Sequence, residues 1–326
     1  MTPVPGDHWR PTAIPDRLRL RARLLARVRG FFAARGVLEV ETPLLGAAPA
    51  TAPHLDSFET VDAGGRRLFL QTSPEYAMKR LLAAGSGDIF QVCHAFRAGE
   101  RGRWHNPEFT LVEWYRVGMG YRALMEEAVA LVETVLGDVL ELGPFRALSY
   151  AEAFAAHAGI DPLAAGAQAL ARAAVRHGIG TPGLAPDDAD GWRDLLMTHV
   201  VEPALPRGCV VGLYDYPASQ AALARVRPGK PPVAERFELY LNGVELANGY
   251  QELTDADALR ERFAADNAAR RRLGRPALPP DEHLLAAMTA GLPECAGVAL
   301  GFDRLVMLAA GAASIDEVLA FPVERA

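Results

Sequence analysis

The sequence is poor in cysteine and has no long apolar stretch. Its 326 residues contain three cysteines, Cys93, Cys209 and Cys295, which lie far apart without paired spacing. This pattern argues against a disulfide framework or a zinc site. No uninterrupted apolar run approaches the ~20 residues that a membrane-spanning helix needs, and the first residues lack the apolar segment of an export signal. We therefore expect a protein of the reducing cytoplasm without a membrane segment.

An excess of positive charge is also missing. The chain has 34 Lys+Arg against 40 Asp+Glu, a formal net charge of −6, which disfavours broad attraction to a polyanion such as nucleic acid. Half of the residues are hydrophobic and 23% are charged, which excludes a mostly disordered chain. The length allows one large domain or two modest ones. Residues 1–15, which contain four prolines, are predicted to form an N-terminal arm.

Apolar periodicity and turn residues predict an alternation of helices and strands. The first helix is arginine-rich, with Asp16 as its predicted N-cap and Gly36 as its terminator. An alanine-rich segment at about 146–208 is predicted to be a helical insertion. The remaining predicted helices are 76–84, 121–136, 256–273 and 281–290, with a capping box at Ser149 and Glu152, and the predicted strands are 37–40, 68–71, 89–97, 108–116, 209–214, 236–241 and 244–246.

Three segments stand out by their order and content. They are GVLEVETP, which ends at Pro43; the predicted hairpin that begins at Phe96 and Arg97 and continues as HNPEFTLVEWY to Tyr115; and GVALGFDR, from Gly297 to Arg304. These segments resemble motifs 1, 2 and 3 of the class II aminoacyl-tRNA synthetases. TSPEYAMKRLL and VELANGYQELTDA resemble the lysyl branch. The similarity is greatest to the truncated lysyl-synthetase paralogues that ligate (R)-β-lysine to elongation factor P.

The resemblance extends from about residue 16 to the end of the chain and implies a fold. That fold is the α+β catalytic domain of class II synthetases over residues 16–326, an antiparallel sheet flanked by helices, assembled as a homodimer through motif 1. A full lysyl enzyme carries a further domain before motif 1, whereas only about 15 residues precede it here, too few to build a domain. We therefore expect no recognition of a tRNA anticodon.

Two arginines suit the phosphates of ATP, because a guanidinium binds phosphate through two hydrogen bonds and stays charged at every relevant pH. The resemblance implies that Arg97 contacts the α-phosphate and the substrate carboxylate. It implies that Arg304 contacts the γ-phosphate and stacks on adenine opposite Phe109. The further nucleotide contacts that it implies are Gly99, Glu100, Asn106, Glu245, Leu246 and Gly301.

The motif 2 loop departs from the family in one place. The family has a glutamate two residues after the motif 2 arginine, whereas this chain has Gly99 there and Glu100 next. The contact to the nucleotide base comes either from the loop backbone or from Glu100, and the sequence leaves both open.

A magnesium site is expected at Glu238 and Glu245, seven residues apart across the predicted Asn242-Gly243 turn. Carboxylate oxygens completed by phosphates and water suit Mg²⁺. Two separated glutamates alone are more often solvated charges at a sheet edge. The resemblance to the full family pattern, which also includes Asn248 and Glu252, favours the metal.

The predicted amino-acid pocket is unusually acidic for a site that also binds ATP. This composition suits a substrate with two ammonium groups, lysine or (R)-β-lysine. The resemblance implies that Glu113, Tyr115 and Glu252 hold the ε-ammonium and that Asn248 holds the carboxylate. Ser73, Pro74 and Glu75 would face the other amino group.

Ala299 lies where lysyl synthetases have glycine. Its methyl group would narrow the pocket beside the substrate α-carbon and so suit β-lysine, unless the change is a harmless exchange of small residues.

The expected reaction is ATP-dependent activation of (R)-β-lysine as an adenylate, followed by its transfer to a lysine side chain of elongation factor P. An arginine-rich surface at residues 17–29 and 101–103 is compatible with this acidic acceptor. Two alternatives remain: an enzyme of the same fold that activates free lysine or charges tRNA, and a catalytically dead, synthetase-like regulatory subunit.

Overall fold

The computed structural model describes residues 9–180, 183–185 and 187–326. The first eight residues of the predicted N-terminal arm lie outside the described residues, as do residues 181, 182 and 186 of the alanine-rich segment. Where the arm is described, the backbone amides of Thr12 and Ala13 donate to the carbonyls of Ala320 and Leu319, and Ala13 is buried. This part of the arm is therefore hydrogen-bonded to the C-terminal segment.

The strands follow the order that the sequence pattern predicts, with several short additions. In chain order they are β1 (Leu38–Glu39), β2 (Leu45–Gly46), β3 (Glu59–Val61), β4 (Arg67–Leu70), β5 (Ile89–Phe96), β6 (Glu108–Val117), β7 (Gly143–Ser149), β8 (Cys209–Pro217), β9 (Val226–Arg227), β10 (Val233–Leu241), β11 (Val244–Gln251) and β12 (Cys295–Gly301).

The helices pack on both faces of these strands. They are α1 (Pro15–Ala33), α2 (Glu75–Ala83), α3 (Tyr121–Leu136), α4 (Tyr150–His157), α5 (Ala167–Arg176), α6 (Ala189–Leu196), α7 (Glu202–Ala204), α8 (Ala256–Arg272), α9 (Glu282–Gly291) and α10 (Phe302–Ala309), with a π turn at Met197–Val201 and 3₁₀ turns at Ala218–Gln220 and Ile315–Glu317.

Within the described residues, nine strands form one large sheet in the order β1-β5-β6-β12-β11-β10-β8-β7, with β9 beside β10. Strands β2, β4 and β3 form a separate small sheet. The large sheet is antiparallel through its centre, as predicted, but β1 pairs parallel with β5 and β7 pairs parallel with β8. These parallel pairs lie at the two edges, where the chain returns to the sheet after a helix.

Helix α1 begins two residues earlier than predicted. Ile14 is the N-cap and Pro15 occupies the first helical position, where its missing N–H costs nothing. Asp16, the predicted N-cap, lies in the first turn and accepts a hydrogen bond from Arg19 instead. The predicted terminator Gly36 adopts φ 68°, a left-handed conformation that glycine accepts without strain.

The alanine-rich segment begins as a strand rather than a helix. Residues 143–149 form β7, which pairs with β8, and the helical part starts at Tyr150 after the predicted capping box of Ser149 and Glu152. The predicted insertion, about 146–208, thus includes the last residues of β7, and its first helix starts at the predicted capping box. A high alanine content favours helix, but here the pairing of residues 143–149 with β8 favours a strand.

Side-chain alternation divides the large sheet into an apolar face and a polar face. In β6, Val112 and Trp114 join the main core with α1 and α3. Glu113 and Tyr115 project from the opposite face.

The register of four strands then aligns predicted site residues in one row. Glu113, Ala299, Asn248 and Glu238 are successive cross-strand partners on β6, β12, β11 and β10. At ~4.8 Å per strand this row spans roughly 14 Å, which suits an amino acid placed beside a nucleotide.

Several arginines of α1 pair with carboxylates of the same chain. Arg17 pairs with Glu317 at 2.7 Å, and Arg21 and Arg27 bind Asp303 and Asp138. In the motif 2 loop, Arg101 lies 2.8 Å from Asp316. These carboxylates neutralise part of the positive charge at residues 17–29 and 101–103, and the docking of an acidic acceptor there stays a prediction.

Candidate active site

A cleft of ≈ 1430 Å³ opens on the polar face, between the sheet, α2 and the helical segment after β7. Its wall includes Glu75, Arg97, Glu238 and Glu245, which the sequence analysis assigned to one site although they are far apart along the chain. The antiparallel register brings them together. Helix α6 also reaches the cleft, through Asp190 and Asp194.

Arg97, just after β5, lies at the nucleotide side of the cleft. Its guanidinium carbon is 5.0 Å from the centre of the Phe109 ring, within cation–π distance. Its buried Nε has no hydrogen-bond partner among the described residues. Arg97 therefore retains donor capacity for an anionic ligand.

Arg304 lies in the first turn of α10, and contacts from two segments distant in the sequence hold its guanidinium. Nη1 donates to the backbone carbonyl of Glu245 at 2.8 Å, and Nη2 lies 2.7 Å from Nε2 of His105. Burial and the charge of Arg304 lower the pKa of His105, so the neutral imidazole accepts from the guanidinium. The sequence analysis did not assign a role to His105.

The motif 2 loop brings Glu100 back towards Arg97. Gly99 has φ 81°, which a side chain would strain, and the Glu100 carboxylate lies 3.8 Å from the Arg97 guanidinium. This geometry is compatible with the alternative in which Glu100 replaces the glutamate of the family pattern.

Asn106 is buried and both ends of its side chain are engaged. The amide nitrogen donates to the carbonyl of Glu108 at 2.7 Å, and the carbonyl accepts from the amide of Val323 at 3.1 Å. The side chain thus fixes the loop against the C-terminal segment, and the contact to the nucleotide base stays a prediction. Leu246 lies in the core, so only its backbone can face a ligand.

Glu238 accepts from four protein donors. The hydroxyls of Tyr216 and Tyr240 donate to Oε2 at 2.7 and 2.5 Å, while Arg236 and Asn248 donate to Oε1 at 2.5 and 3.4 Å. A carboxylate offers about four acceptor positions. Direct coordination of a metal by Glu238 therefore requires one of these donors to leave.

Glu245 has more free acceptor capacity than Glu238. Its carboxylate lies 3.3 Å from Arg304, and 39% of its side chain is exposed. Partial desolvation within the cleft and the nearby charge of Glu238 raise its pKa, and a cation would oppose that shift. The described residues contain no group of three or more His, Cys, Asp or Glu side chains that could hold a metal. With two carboxylates, a bound Mg²⁺ would need phosphate oxygens and water to complete its coordination.

A third carboxylate, Glu202 of α7, lies in the same region. Burial, with the charges of Glu238 and Glu245, raises its pKa to about 7. Tyr240 links it to Glu238, because the hydroxyl also lies 3.3 Å from Glu202 Oε1. The sequence analysis missed Glu202, since nothing near it in the chain indicates that α7 reaches the sheet.

Glu113 forms the centre of the predicted amino-acid pocket. It is 2% exposed and accepts from the hydroxyls of Ser73 and Tyr115, both at 2.8 Å. Burial and the charge of Glu75 raise the pKa of Glu113 to about 7. Its protonation state therefore changes near neutral pH.

Glu75 and Glu252 flank a buried lysine. Lys79 Nζ lies 2.6 Å from Glu75 Oε1 and 2.5 Å from Glu252 Oε2. Tyr250 also donates to Glu75, at 2.7 Å. Glu75 and Tyr250 line the cleft, whereas Glu252 is 1% exposed and lies behind this wall. Pro74 is the N-cap of α2 and therefore lies just before the first helical residue, Glu75.

Ala299 and Gly297 lie on the same side of β12. Ala299 is half-buried and lies between Glu113 and Asn248. A Cβ at Gly297 would come within 2.3 Å of Tyr115 and 2.4 Å of Glu252, so this position accepts only glycine. A Cβ at Gly301 would meet its neighbours at 3.6 Å or more, an ordinary contact.

Comparison with known proteins places this fold and site in one family. A family model described as tRNA synthetases class II (D, K and N) matches residues 7–325. The chain belongs to the class II tRNA synthetase family. The match confirms the α+β class II fold that the three motifs predicted.

Relatives of this synthetase-family chain carry a more specific name. Elongation factor P–(R)-β-lysine ligase of Vibrio cholerae serotype O1 is 48% identical over 326 residues, covering 98% of this chain and 99% of the relative. The ligases of the same name from Salmonella paratyphi B and Klebsiella pneumoniae strain 342 are each 49% identical over 323 residues, covering 98% of both chains. These matches confirm the resemblance to the truncated lysyl paralogues.

Among the described residues, no helix is long and apolar enough to cross a membrane.

Proposed function

We propose that this chain is an AMP-forming ligase that activates (R)-β-lysine with ATP and joins it to a lysine side chain of elongation factor P. The observation that carries this proposal is the acidic cluster of Glu75, Glu113 and Glu252 on the same sheet face as Arg97 and Arg304. Such a site suits a diamino acid beside a nucleotide. The names of the relatives support the acceptor.

In the first step, the carboxylate of the amino acid attacks the α-phosphorus of ATP, and the bond to pyrophosphate breaks. Arg97, with its unpaired buried Nε, would bind the substrate carboxylate and the α-phosphate. Arg304, fixed by Glu245 and His105, would bind the γ-phosphate. These arginines stabilise charge that develops as pyrophosphate leaves.

The amino acid would be held by its two ammonium groups. Glu113, oriented by Ser73 and Tyr115, and Glu252 would bind the terminal ammonium, while Glu75 at the cleft wall would bind the other. Charge-assisted hydrogen bonds of this kind contribute ~1.5–3 kcal/mol each. Asn248 accepts from Arg236 and donates one N–H to Glu238, so the second N–H of its amide is available for the predicted contact to the carboxylate.

In the second step, a lysine amine of elongation factor P attacks the acyl carbon of the adenylate. The ammonium loses one proton to solvent beforehand and a second as the amide bond forms, and AMP leaves with the electrons of the broken bond. Mg²⁺, held by Glu245 with Glu238 in support, would shield the phosphate charge of ATP.

The reaction is proposed to take place in the cytoplasm.

Two copies of the chain are proposed to pair through the motif 1 region. Leu38, Leu44 and Leu45 are 55%, 42% and 44% exposed near the β1 edge of the sheet, and a partner would bury them. Sedimentation equilibrium tests this pairing, with a Leu38→Glu variant expected to be monomeric.

ATP–pyrophosphate exchange with a panel of amino acids tests the proposed activation. We expect exchange with (R)-β-lysine and less with α-lysine. Exchange with α-lysine alone, together with acylation of tRNA, would support the tRNA-charging alternative. No exchange with any amino acid would support the dead regulatory subunit.

A further inference from the structure

The wall of the amino-acid pocket contains a buried cation. The Lys79 side chain is 2% exposed, and its ammonium lies 2.6 Å from Glu75 and 2.5 Å from Glu252. Helical spacing places Lys79 one turn after Glu75 on α2. Glu252 follows β11, so the ammonium joins the helix to the sheet.

The composition of the chain makes this lysine unusual. Lys79 and Lys230 are the only two lysines among the 34 lysine and arginine residues. The next residue, Arg80, is exposed, as an arginine at this helix position can be. An ammonium is a compact charge with three donors, whereas a guanidinium is a wide planar fork. The narrow space between Glu75 and Glu252 therefore suits lysine.

The charges in this cluster match a diamino acid. Glu75, Glu113 and Glu252 supply three carboxylates, and Lys79 supplies one ammonium. When all four are ionised, two negative charges remain, the number that two substrate ammonium groups neutralise. Without Lys79, a third uncompensated carboxylate would be buried, and such a group takes up a proton.

Glu252 keeps acceptor capacity for the substrate. The Lys79 ammonium approaches Oε2 at 2.5 Å, whereas the buried Oε1 has no hydrogen-bond partner within the described part of the chain. Lys79 thus compensates the charge of Glu252 and leaves one of its two oxygens available.

We propose that Lys79 is a positioning residue that holds the carboxylates of Glu75 and Glu252 in place and balances part of their charge, and so adjusts the pocket to an amino acid with two ammonium groups. This role rests on the proposed function, since it concerns the selection of the same substrate. Lys79 acts through the carboxylates and does not touch the reacting atoms.

Every element packed around Lys79 contributes to its electrostatics. Burial lowers the pKa of Lys79, but the charges of Glu252 and Glu75 raise it by more, so the lysine stays protonated. Burial raises the pKa of Glu252, and Lys79 opposes this shift. The titratable groups near Lys79 are Glu75 from α2, Tyr250 and Glu252 from β11 and its end, Glu113 and Tyr115 from β6, and Cys295 from β12.

The test is Lys79→Met, which keeps most of the length of the side chain and removes its charge. ATP–pyrophosphate exchange should show a KM for the diamino acid at least about tenfold higher at pH 7, with the KM for ATP unchanged. The pH midpoint of kcat/KM for the amino acid should move upward by about one unit, because Glu252 and Glu113 now ionise at higher pH. Lys230→Met, the same change at the exposed lysine, should leave all these values unchanged.

A double variant separates this role from structural support. Lys79→Met with Glu252→Gln again leaves two carboxylates, Glu75 and Glu113, and therefore restores two negative charges. We expect it to have an amino-acid KM no higher than Glu252→Gln alone and a pH midpoint near that of the wild type. If the two substitutions caused only independent structural damage, their increases in KM would instead multiply, and the KM of the double variant would exceed that of Glu252→Gln alone.

The outcomes are distinct. An unchanged amino-acid KM and pH midpoint in Lys79→Met would overturn the role of Lys79, and so would an equal rise of both KM values. If Lys79→Met does not fold, the double variant decides alone, and a KM tenfold above that of Glu252→Gln would overturn the proposal. Absence of exchange in the wild type with every diamino acid would overturn the proposed function instead.

Discussion

Ala299 on β12 lies directly opposite Glu113 on β6, and the two side chains project from the same face of the sheet. On its other side, Ala299 pairs with Asn248 of β11. A methyl group at this point narrows the space between the expected binding positions of the substrate ammonium and carboxylate. The register therefore connects one small residue with the choice between lysine isomers.

Replacement of Ala299 by glycine should change isomer choice. The added space should raise activation of α-lysine relative to (R)-β-lysine by about tenfold, or ~1.4 kcal/mol. Exchange measured with both isomers gives this ratio, and the KM for ATP serves as the internal control. An unchanged ratio would make Ala299 a packing residue.

Gly297→Ala should damage the pocket from the same strand. The new Cβ would lie 2.3 Å from Tyr115 and 2.4 Å from Glu252, both fully buried. Overpacking of this kind costs ~1–3 kcal/mol, so thermal unfolding should occur at lower temperature and exchange should be lost. Gly301→Ala, with its nearest contact at 3.6 Å, should lower stability much less. Equal stability of the two variants would contradict the packing described for Gly297.

Arg304→Ala should abolish pyrophosphate exchange while the chain stays folded. The change removes the bond to the Glu245 carbonyl and the contact with His105, together with the proposed γ-phosphate contact. Circular dichroism should remain that of the wild type. Arg260→Ala, which breaks only a surface pair with Glu282, is the matched control and should exchange normally. Near-normal exchange by Arg304→Ala would show that the motif 3 assignment is wrong.

Glu113 should give the amino-acid affinity a pH dependence near neutrality. Burial raises the pKa of Glu113 from 4.5 to about 7, so the carboxyl is protonated at pH 6 and ionised at pH 8. Because a substrate ammonium favours the ionised form, affinity should rise with pH through 7. Isothermal titration across pH 6–8 measures this rise, which should be lost in Glu113→Gln. A rise of equal size in Glu113→Gln would assign the titration to another group.

The same group should affect folding with the opposite sign. A carboxyl whose folded pKa is raised stabilises the fold fully below its unfolded pKa of 4.5. That contribution is lost as pH rises through about 7. The free energy of unfolding of the wild type should therefore fall relative to Glu113→Gln over this window, as denaturant titrations can show.

The sequence predicted the elements whose signals are local. Helix α3 occupies the predicted 121–136, and β5 and β6 form the predicted hairpin, because periodicity and turn residues determine these elements within one segment. The capping box at Ser149 and Glu152 is likewise a local pattern, and it is present.

Features that depend on distant partners were not accessible from the sequence. The sequence around Lys79 is that of an ordinary helix. The burial of its ammonium depends on Glu252, which is 173 positions further along the chain. The four donors around Glu238 come partly from β8 and β11, whose register the sequence does not define. The sequence shows how many arginines α1 contains, but it does not show which carboxylates pair with them.

Intact-mass analysis of elongation factor P tests the central claim most directly. Purified factor is incubated with this chain, ATP, Mg²⁺ and either (R)-β-lysine or α-lysine, with Arg304→Ala as the inactive control. The account predicts that the factor gains the mass of one lysyl group, on a single lysine side chain, and gains it faster with (R)-β-lysine. An unmodified factor, from a chain that nevertheless exchanges pyrophosphate with (R)-β-lysine, would contradict the account.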